Sequence, residues 1–193
     1  MTIVSQADLI TGAIAGKVVS FPTDTVPALA VKPESASLIF QLKQRPDRKP
    51  LILMGASLAS LLPYVAGTPQ EVEVWQQVMK QYFPGAITFV LPASSQVPRT
   101  VNPLDTTTIG IRIPDCAIAC QILEQTGVLA TSSANISGEE TLTDPRAIDK
   151  AFPNVLVLEP KGSNISGSGL PSTVVKWTSP GWTVLRQGSI TIN

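Results

Sequence analysis

The sequence predicts an α/β protein: a single domain, residues 1–193, around one large, twisted, mixed parallel and antiparallel sheet with flanking helices. Short apolar runs typical of buried strands alternate with segments of helical periodicity, and no internal repeat interrupts that order. With 44% hydrophobic and 15% charged residues, 193 residues are enough to bury one core.

The first half of the chain alternates between helix and strand. Ser5, followed by Asp8 and apolar residues at helical spacing, predicts a capped helix. A second helix is predicted at 34–44, and it ends before Pro46 because proline cannot continue the hydrogen-bond ladder. Apolar runs predict strands at 17–21, 28–31 and 51–54.

The second half continues the pattern. Two helices are predicted between 57 and 82, and a third from a cap at Asp115 to 126. Strands are predicted at 86–91, 108–113, 128–130, 173–177 and 182–186. The Gly/Ser-rich segment 161–171 is interpreted as a flexible loop, whose residues 162–169 are a candidate lid.

Composition excludes several classes of protein. The chain has no histidine, so a Ser-His-Asp triad and histidine-ligated metals are excluded. Net charge is zero, so only a local patch could bind a polyanion. No apolar run of about 20 residues predicts a membrane span, and the first residues lack a signal-peptide pattern. We interpret Cys116 and Cys120 as buried thiols in a cytoplasmic protein.

Two segments predict a pocket for an anionic ligand. Residues 43–49 hold four of the fourteen Lys and Arg residues, and two prolines stiffen this basic segment. The alternative is that these cations only complement the end of a helix. The hydroxyl and amide side chains of 131–137 follow an apolar strand, where ligands of α/β sheets usually bind, although such residues also form plain turns. Neither a Walker motif nor a G-x-G-x-x-G turn accompanies them.

Two further positions suggest polar recognition. Thr23, Asp24 and Thr25 follow another predicted strand, and the Asp24 carboxylate could hold Mg²⁺ or an amine. Arg112 stands within an apolar alternation, where it is either a rim charge or a buried clamp for a carboxylate.

Six motifs occur in order from about residue 17 to 188. They are Phe21-Pro22-Thr23-Asp24-Thr25-Val26, Lys43-Gln44-Arg45-Pro46, Phe83-Pro84-Gly85-Ala86-Ile87-Thr88, Ile109-Gly110-Ile111-Arg112-Ile113-Pro114, Ser133-Ala134-Asn135-Ile136-Ser137-Gly138 and Ser172-Thr173-Val174-Val175. In this combination the chain resembles the YrdC-like threonylcarbamoyl-AMP synthase family, in its short, single-domain form.

The resemblance implies a nucleotidyltransferase that joins L-threonine, bicarbonate and ATP into threonylcarbamoyl-AMP and releases pyrophosphate. It implies ATP with Mg²⁺ and no metal bound by the protein's own residues. It also implies a role in tRNA threonylcarbamoyladenosine modification, with a threonylcarbamoyl transferase complex as partner, and it allows contact with RNA. The alternative is a family paralogue that binds RNA or a nucleotide without this synthesis.

The family's site residues map onto this sequence. The resemblance implies that Lys43 and Arg45 are catalytic, stabilising the phosphates. The remaining residues expected around the nucleotide are Lys49, Thr108, Ser133, Asn135, Thr141 and Arg186. The residues expected around threonine are Thr23, Arg112, Thr131 and Ser172, with Arg112 on the carboxylate. The chain departs from the family pattern at Pro27, Met54 and Pro171, all on the threonine side.

Overall fold

The computed structural model describes residues 2–44, 50–160 and 167–192. Six α-helices lie within these ranges: α1 (Gln6–Ile14), α2 (Ser37–Leu42), α3 (Leu58–Leu61), α4 (Pro69–Tyr82), α5 (Ala117–Thr126) and α6 (Pro145–Ala151). Ten strands lie within the same ranges: β1 (Ile3–Val4), β2 (Val19–Phe21), β3 (Ala28–Val31), β4 (Ile52–Met54), β5 (Ile87–Pro92), β6 (Thr108–Arg112), β7 (Leu129–Ser133), β8 (Leu156–Leu158), β9 (Thr173–Trp177) and β10 (Trp182–Arg186).

All ten strands form one mixed sheet, in the order β1-β8-β2-β3-β7-β4-β6-β5-β9-β10. The pairs β1–β8, β2–β8, β4–β6 and β5–β9 are parallel. The remaining pairs are antiparallel. The predicted fold class, a single mixed sheet with flanking helices, is therefore confirmed.

Helices cover both faces of the sheet. Successive strand residues point to opposite faces, and the buried apolar residues accordingly separate into two clusters. Residues of α1 and α5 pack in one cluster, whereas residues of α2, α4 and α6 pack in the other. The central strands are buried on both sides; in β3, for example, all four residues are buried.

Local side-chain chemistry sets several helix ends. The Ser5 hydroxyl accepts a hydrogen bond from the Asp8 N–H, as predicted for the start of α1. A capping box between Thr68 and Glu71 begins α4, and Asp144 caps α6.

Two predicted helices are corrected. Asp115 is not the cap of α5, because Cys116 has an extended backbone and is itself the N-cap residue, without a capping side chain. The segment 34–44 is not one helix. A 3-10 turn, Pro33–Ser35, precedes α2, because the Ala36 N–H bonds to the Pro33 carbonyl at the tighter three-residue spacing.

Other differences concern short elements. The strands β1 and β8 and the helix α6 were not predicted from the sequence. Strand β7 is longer than the predicted 128–130, since Thr131 to Ser133 continue its ladder with β3. The candidate lid at 162–169 lies largely outside the described residues, which resume at Gly167.

The structure also bears on a membrane span and on the two cysteines. Among the described helices, none is long and apolar enough to cross a membrane. Cys116 and Cys120 are free thiols, the first buried and the second half-buried, and burial raises the pKa of both.

Candidate functional site

A cavity of about 280 Å³ lies where the ends of the central strands meet. The loop after β2, the end of α2, the strands β4, β6 and β7, the residues just before β9 and the end of β10 all contribute to its wall. Nine of the twelve predicted site residues line it: Thr23, Lys43, Arg112, Thr131, Ser133, Asn135, Thr141, Ser172 and Arg186. The structure thus brings together residues from five of the six motifs.

Three predicted site residues are not placed in this wall. Arg45 and Lys49 lie outside the described residues. Thr108 stands at the opposite end of β6 from Arg112 and does not line the cavity. Its hydroxyl donates to Asp105 Oδ2 at 2.9 Å, and hydrogen bonds from Thr107 and Thr108 lower the pKa of Asp105.

The wall is positively charged. Lys43, Arg112 and Arg186 line the cavity, and no Asp or Glu lines it within the described residues. The same cavity is also lined by hydroxyl and amide groups from β7 and the loop that follows it. This distribution of charge and donors suits a ligand with phosphate or carboxylate groups.

Lys43 joins α2 to the end of β7. The lysine is only 2% exposed. Its Nζ donates to the Ser133 carbonyl at 2.5 Å and to Asn135 Oδ1 at 2.9 Å. Ser133 Oγ also donates to Asn135 Oδ1, at 2.6 Å. These hydrogen bonds hold the predicted nucleotide residues in one network.

Asn135 in turn closes the loop after β7. Its Nδ2 donates to the carbonyls of Ile136 and Glu139, at 2.9 and 2.8 Å. The amide therefore orients the loop at the same time as it accepts from Lys43 and Ser133. A fixed loop presents its donors to a ligand with little loss of conformational entropy.

Arg112 is buried rather than at the rim. Its guanidinium donates to Asp24 Oδ1 at 2.6 Å, to Thr25 Oγ1 at 2.8 Å and to the Gly85 carbonyl at 3.2 Å. Burial lowers the pKa of Arg112, the Asp24 carboxylate opposes that change, and the charge of Arg186 adds to the lowering. Asp24, considered from the sequence as a holder of Mg²⁺ or an amine, is the ion-pair partner of this arginine.

Thr131 lines the cavity and lies between its ladder partners Ala30 on β3 and Ile52 on β4. It is 2% exposed, and its hydroxyl has no hydrogen-bond partner among the described residues. A buried hydroxyl without a partner costs about 1–3 kcal/mol. A hydroxyl that lines a cavity and has no described hydrogen-bond partner is suited to bind a ligand.

Ser172 is held by two groups. Its hydroxyl bonds with Thr88 Oγ1 at 2.9 Å, and Arg186 Nη2 lies 3.3 Å from the same oxygen. The Nε and Nη2 of Arg186 also donate to the Ser172 carbonyl, at 3.1 and 2.9 Å. Burial lowers the pKa of Arg186.

The sequence indicated no site role for two residues that matter here: Thr25, noted only as a polar residue after a strand, and Thr88. Thr25 binds the Arg112 guanidinium, and Thr88 orients Ser172. Both residues belong to two of the six motifs described above. Membership of those motifs is the sequence feature that could have marked them as site residues. The three departures from the family pattern, Pro27, Met54 and Pro171, all line the cavity.

Fold and cavity together define an α/β protein with a cavity at the ends of its sheet strands, and the charge of that cavity suits an anionic ligand. The Sua5/YciO/YrdC family model, described as "Telomere recombination", matches residues 14–188, and the chain belongs to this family.

Relatives of known activity are similar over most of the chain. A threonylcarbamoyl-AMP synthase of Pyrococcus abyssi is 34% identical over 91% of this chain, which spans 51% of that protein. A threonylcarbamoyl-AMP synthase of Hydrogenovibrio crunogenus is 32% identical over 90% of this chain and 92% of its own length. This chain thus spans about half of the first relative and nearly all of the second.

Solved structures of the same family have a similar fold. P. abyssi Sua5 complexed with L-threonine is 31% identical, with a TM-score of 0.81 over 96% of this chain and 55% of that one. E. coli YciO is 29% identical, with a TM-score of 0.81 over 95% of this chain and 89% of that one.

Proposed function

We propose that the chain is an L-threonylcarbamoyladenylate synthase, which forms threonylcarbamoyl-AMP and pyrophosphate from L-threonine, bicarbonate and ATP. Its product would serve tRNA threonylcarbamoyladenosine modification in the cytoplasm, through a threonylcarbamoyl transferase. In this proposal residues 1–193 act as one YrdC-like domain.

The observation that carries the proposal is the composition of the cavity wall. One wall region holds Lys43, Ser133 and Asn135, the residues expected around a nucleotide. Another holds Arg112 and Ser172, expected around an amino acid. An amino-acid carbamate joined to AMP carries two anionic groups, the amino-acid carboxylate and the phosphate between the carbamate and the adenosine, and a wall with three cations and no described carboxylate suits that ligand. The two named relatives support the same choice.

The proposed chemistry needs no histidine. The threonine amine and bicarbonate give a carbamate with loss of water. A carbamate oxygen then attacks the α-phosphate of ATP, the bond between the α-phosphate and pyrophosphate breaks, and pyrophosphate leaves. Positioning and charge neutralisation supply most of the catalysis in phosphoryl-group chemistry. We assign those tasks to Lys43 and Arg45 at the phosphates and to Arg112 at the threonine carboxylate.

Mg²⁺ would neutralise phosphate charge in this reaction. Within the described residues no group of three Asp, Glu or Cys side chains could hold a metal ion, and Asp24 is paired with Arg112. These residues fit an ion that arrives with ATP, since Mg²⁺ commonly keeps waters and phosphate oxygens as ligands.

The test is pyrophosphate release from Mg-ATP by the purified protein, with threonine and bicarbonate each present or omitted. We expect release only when both are present, and threonylcarbamoyl-AMP as the second product by mass spectrometry. The Lys43→Met variant, purified in parallel, controls for contaminating ATPases. Release that is independent of threonine, or ATP binding without release, would overturn the proposal in favour of a nucleotide- or RNA-binding paralogue.

A further inference from the structure

The Arg112 guanidinium forms an ion pair with Asp24, a residue that does not line the cavity. Asp24 accepts from Arg112 Nη2 at 2.6 Å, and the two side chains are 13% and 5% exposed. Arg112 lines the cavity, whereas Asp24 does not. A carboxylate in this position neutralises and orients the arginine, but it does not contact a ligand in the cavity.

Arg112 keeps donors for a ligand. Its contacts within the described residues account for three of its five N–H bonds: Nε to Gly85, one Nη1 N–H to Thr25 and one Nη2 N–H to Asp24. One N–H on each Nη nitrogen remains. A guanidinium fixed on several sides presents these donors in one orientation, which favours a planar, two-oxygen partner such as a carboxylate.

A second contact fixes Asp24 itself. The backbone N–H groups of Ser168 and Gly169 donate to the carbonyls of Asp24 and Thr25, both at 2.9 Å. At Gly167 a side chain would collide with the carbonyl oxygens of Thr23 and Thr25. Gly167–Gly169 therefore lies against the backbone of 23–25 so closely that only glycine fits at its first position.

We propose that Asp24 is a positioning residue for Arg112, and that the packing of Gly167–Gly169 against residues 23–25 keeps Asp24 in place. This inference rests on the proposed function, because it assigns the affinity for the substrate amino acid to a pair of contacts outside the cavity. The chain of contacts runs from the glycine segment to Asp24, from Asp24 to Arg112, and from Arg112 to the ligand carboxylate.

The first test is the Asp24→Asn variant, which keeps the shape of the side chain but removes its charge. We expect its KM for threonine to rise by at least about tenfold, with the KM for ATP changed less than about twofold. Asp24→Glu should recover part of the loss. The matched control is Asp115→Asn, an exposed carboxylate three residues from Arg112, which should change neither constant. An unchanged or lower KM for threonine in Asp24→Asn would show that Asp24 does not position Arg112.

The second test concerns the glycine segment. Gly167→Ala should reproduce the Asp24→Asn pattern, because the added methyl group displaces the backbone that carries Asp24. Gly181→Ala is the control, since the space beside Gly181 is open. Loss of affinity for both substrates in Gly167→Ala would contradict a specific role at the amino-acid end.

An activity-free measurement separates this inference from the proposed function. In ¹⁵N-labelled protein the Nη groups of a clamped guanidinium rotate slowly, so we expect separate Nη signals for Arg112 in the wild type and averaged signals in Asp24→Asn. If the wild type shows no threonine-dependent turnover but the signals behave as expected, the proposed function fails and the positioning role stands. Averaged signals in the wild type would overturn the positioning role directly.

Discussion

The Lys43 Nζ lies 2.9 Å from Asn135 Oδ1, so the end of α2 is joined to the loop after β7, ninety-two positions later. The lysine is buried and also donates to the Ser133 carbonyl. Two of the six motifs in the sequence are therefore joined in one structural unit. This unit makes Lys43 both a part of the cavity wall and a support for the loop beside it.

Replacing Lys43 should affect stability as well as activity. We expect Lys43→Met to lower the free energy of unfolding by about 1–3 kcal/mol, because two partly buried oxygens, the Ser133 carbonyl and Asn135 Oδ1, lose a charged donor. Pyrophosphate release should fall to background. Denaturant unfolding and the release assay measure the two effects, with the exposed Lys80→Met as control. A variant that is inactive but fully stable would show that Lys43 does not support the loop.

Replacing Thr131 should weaken ligand binding without lowering the stability of the protein. Thr131→Val has nearly the same shape and removes a buried hydroxyl without a described partner. We expect the free energy of unfolding to stay the same or rise by up to about 1 kcal/mol, while the affinity for threonine falls. Calorimetric binding and denaturant unfolding test this pair of changes. Ser20→Ala removes a similar buried hydroxyl away from the cavity wall and should leave binding intact; equal effects from both variants would contradict a ligand contact at Thr131.

Arg112 should determine affinity for the amino acid. We expect Arg112→Lys to weaken threonine binding by at least about tenfold, because an ammonium cannot reproduce the fork of donors. Binding of a non-hydrolysable ATP analogue should change little. Arg112→Ala should have the same selectivity but also lower stability, since it leaves Asp24 without its partner. Exposed Arg99→Ala is the control, and equal losses for both ligands would argue against a carboxylate clamp.

Gln44 carries local backbone strain. Its φ of 48° lies in the left-handed region, directly after Lys43. Gln44→Gly should raise the free energy of unfolding by about 0.5–1 kcal/mol, because glycine adopts this conformation without a steric penalty. Gln41→Gly, inside α2, should lower it by about 1 kcal/mol. Thermal or denaturant unfolding of both variants measures the difference in sign, and destabilisation by both would refute the interpretation.

Glu71 should make the stability of the protein depend on pH. Its pKa is lowered, first by the hydrogen bond from the Thr68 N–H and then by those from the Trp177 and Thr68 side chains. The ionised form therefore stabilises the fold above the unfolded-state pKa of about 4.3, and that contribution is lost as pH falls through the lower folded-state pKa. We expect wild type to be more stable than Glu71→Gln at pH 7, with the difference shrinking as the pH falls below about 4.3. A difference that is constant across this range would mean that the charge of Glu71 contributes nothing.

Much of the fold could be predicted from local pattern. The apolar run at 51–54 and the alternation at 108–113 predicted β4 and β6, because strand periodicity is visible in the sequence itself. The strand β8 could not be predicted in this way. It is three residues long, and it forms because β1 and β2 lie on either side of it.

The sequence by itself determined the class of fold, the strand-end position of the polar residues and the absence of histidine chemistry. These properties follow from residue type and local spacing. The tertiary structure alone decided that Asp24 neutralises Arg112, that Thr88 orients Ser172, and that Lys43 supports the loop carrying Asn135. Each of these pairs joins positions more than eighty residues apart, and such partners are chosen by the order and register of the strands, which local spacing does not encode.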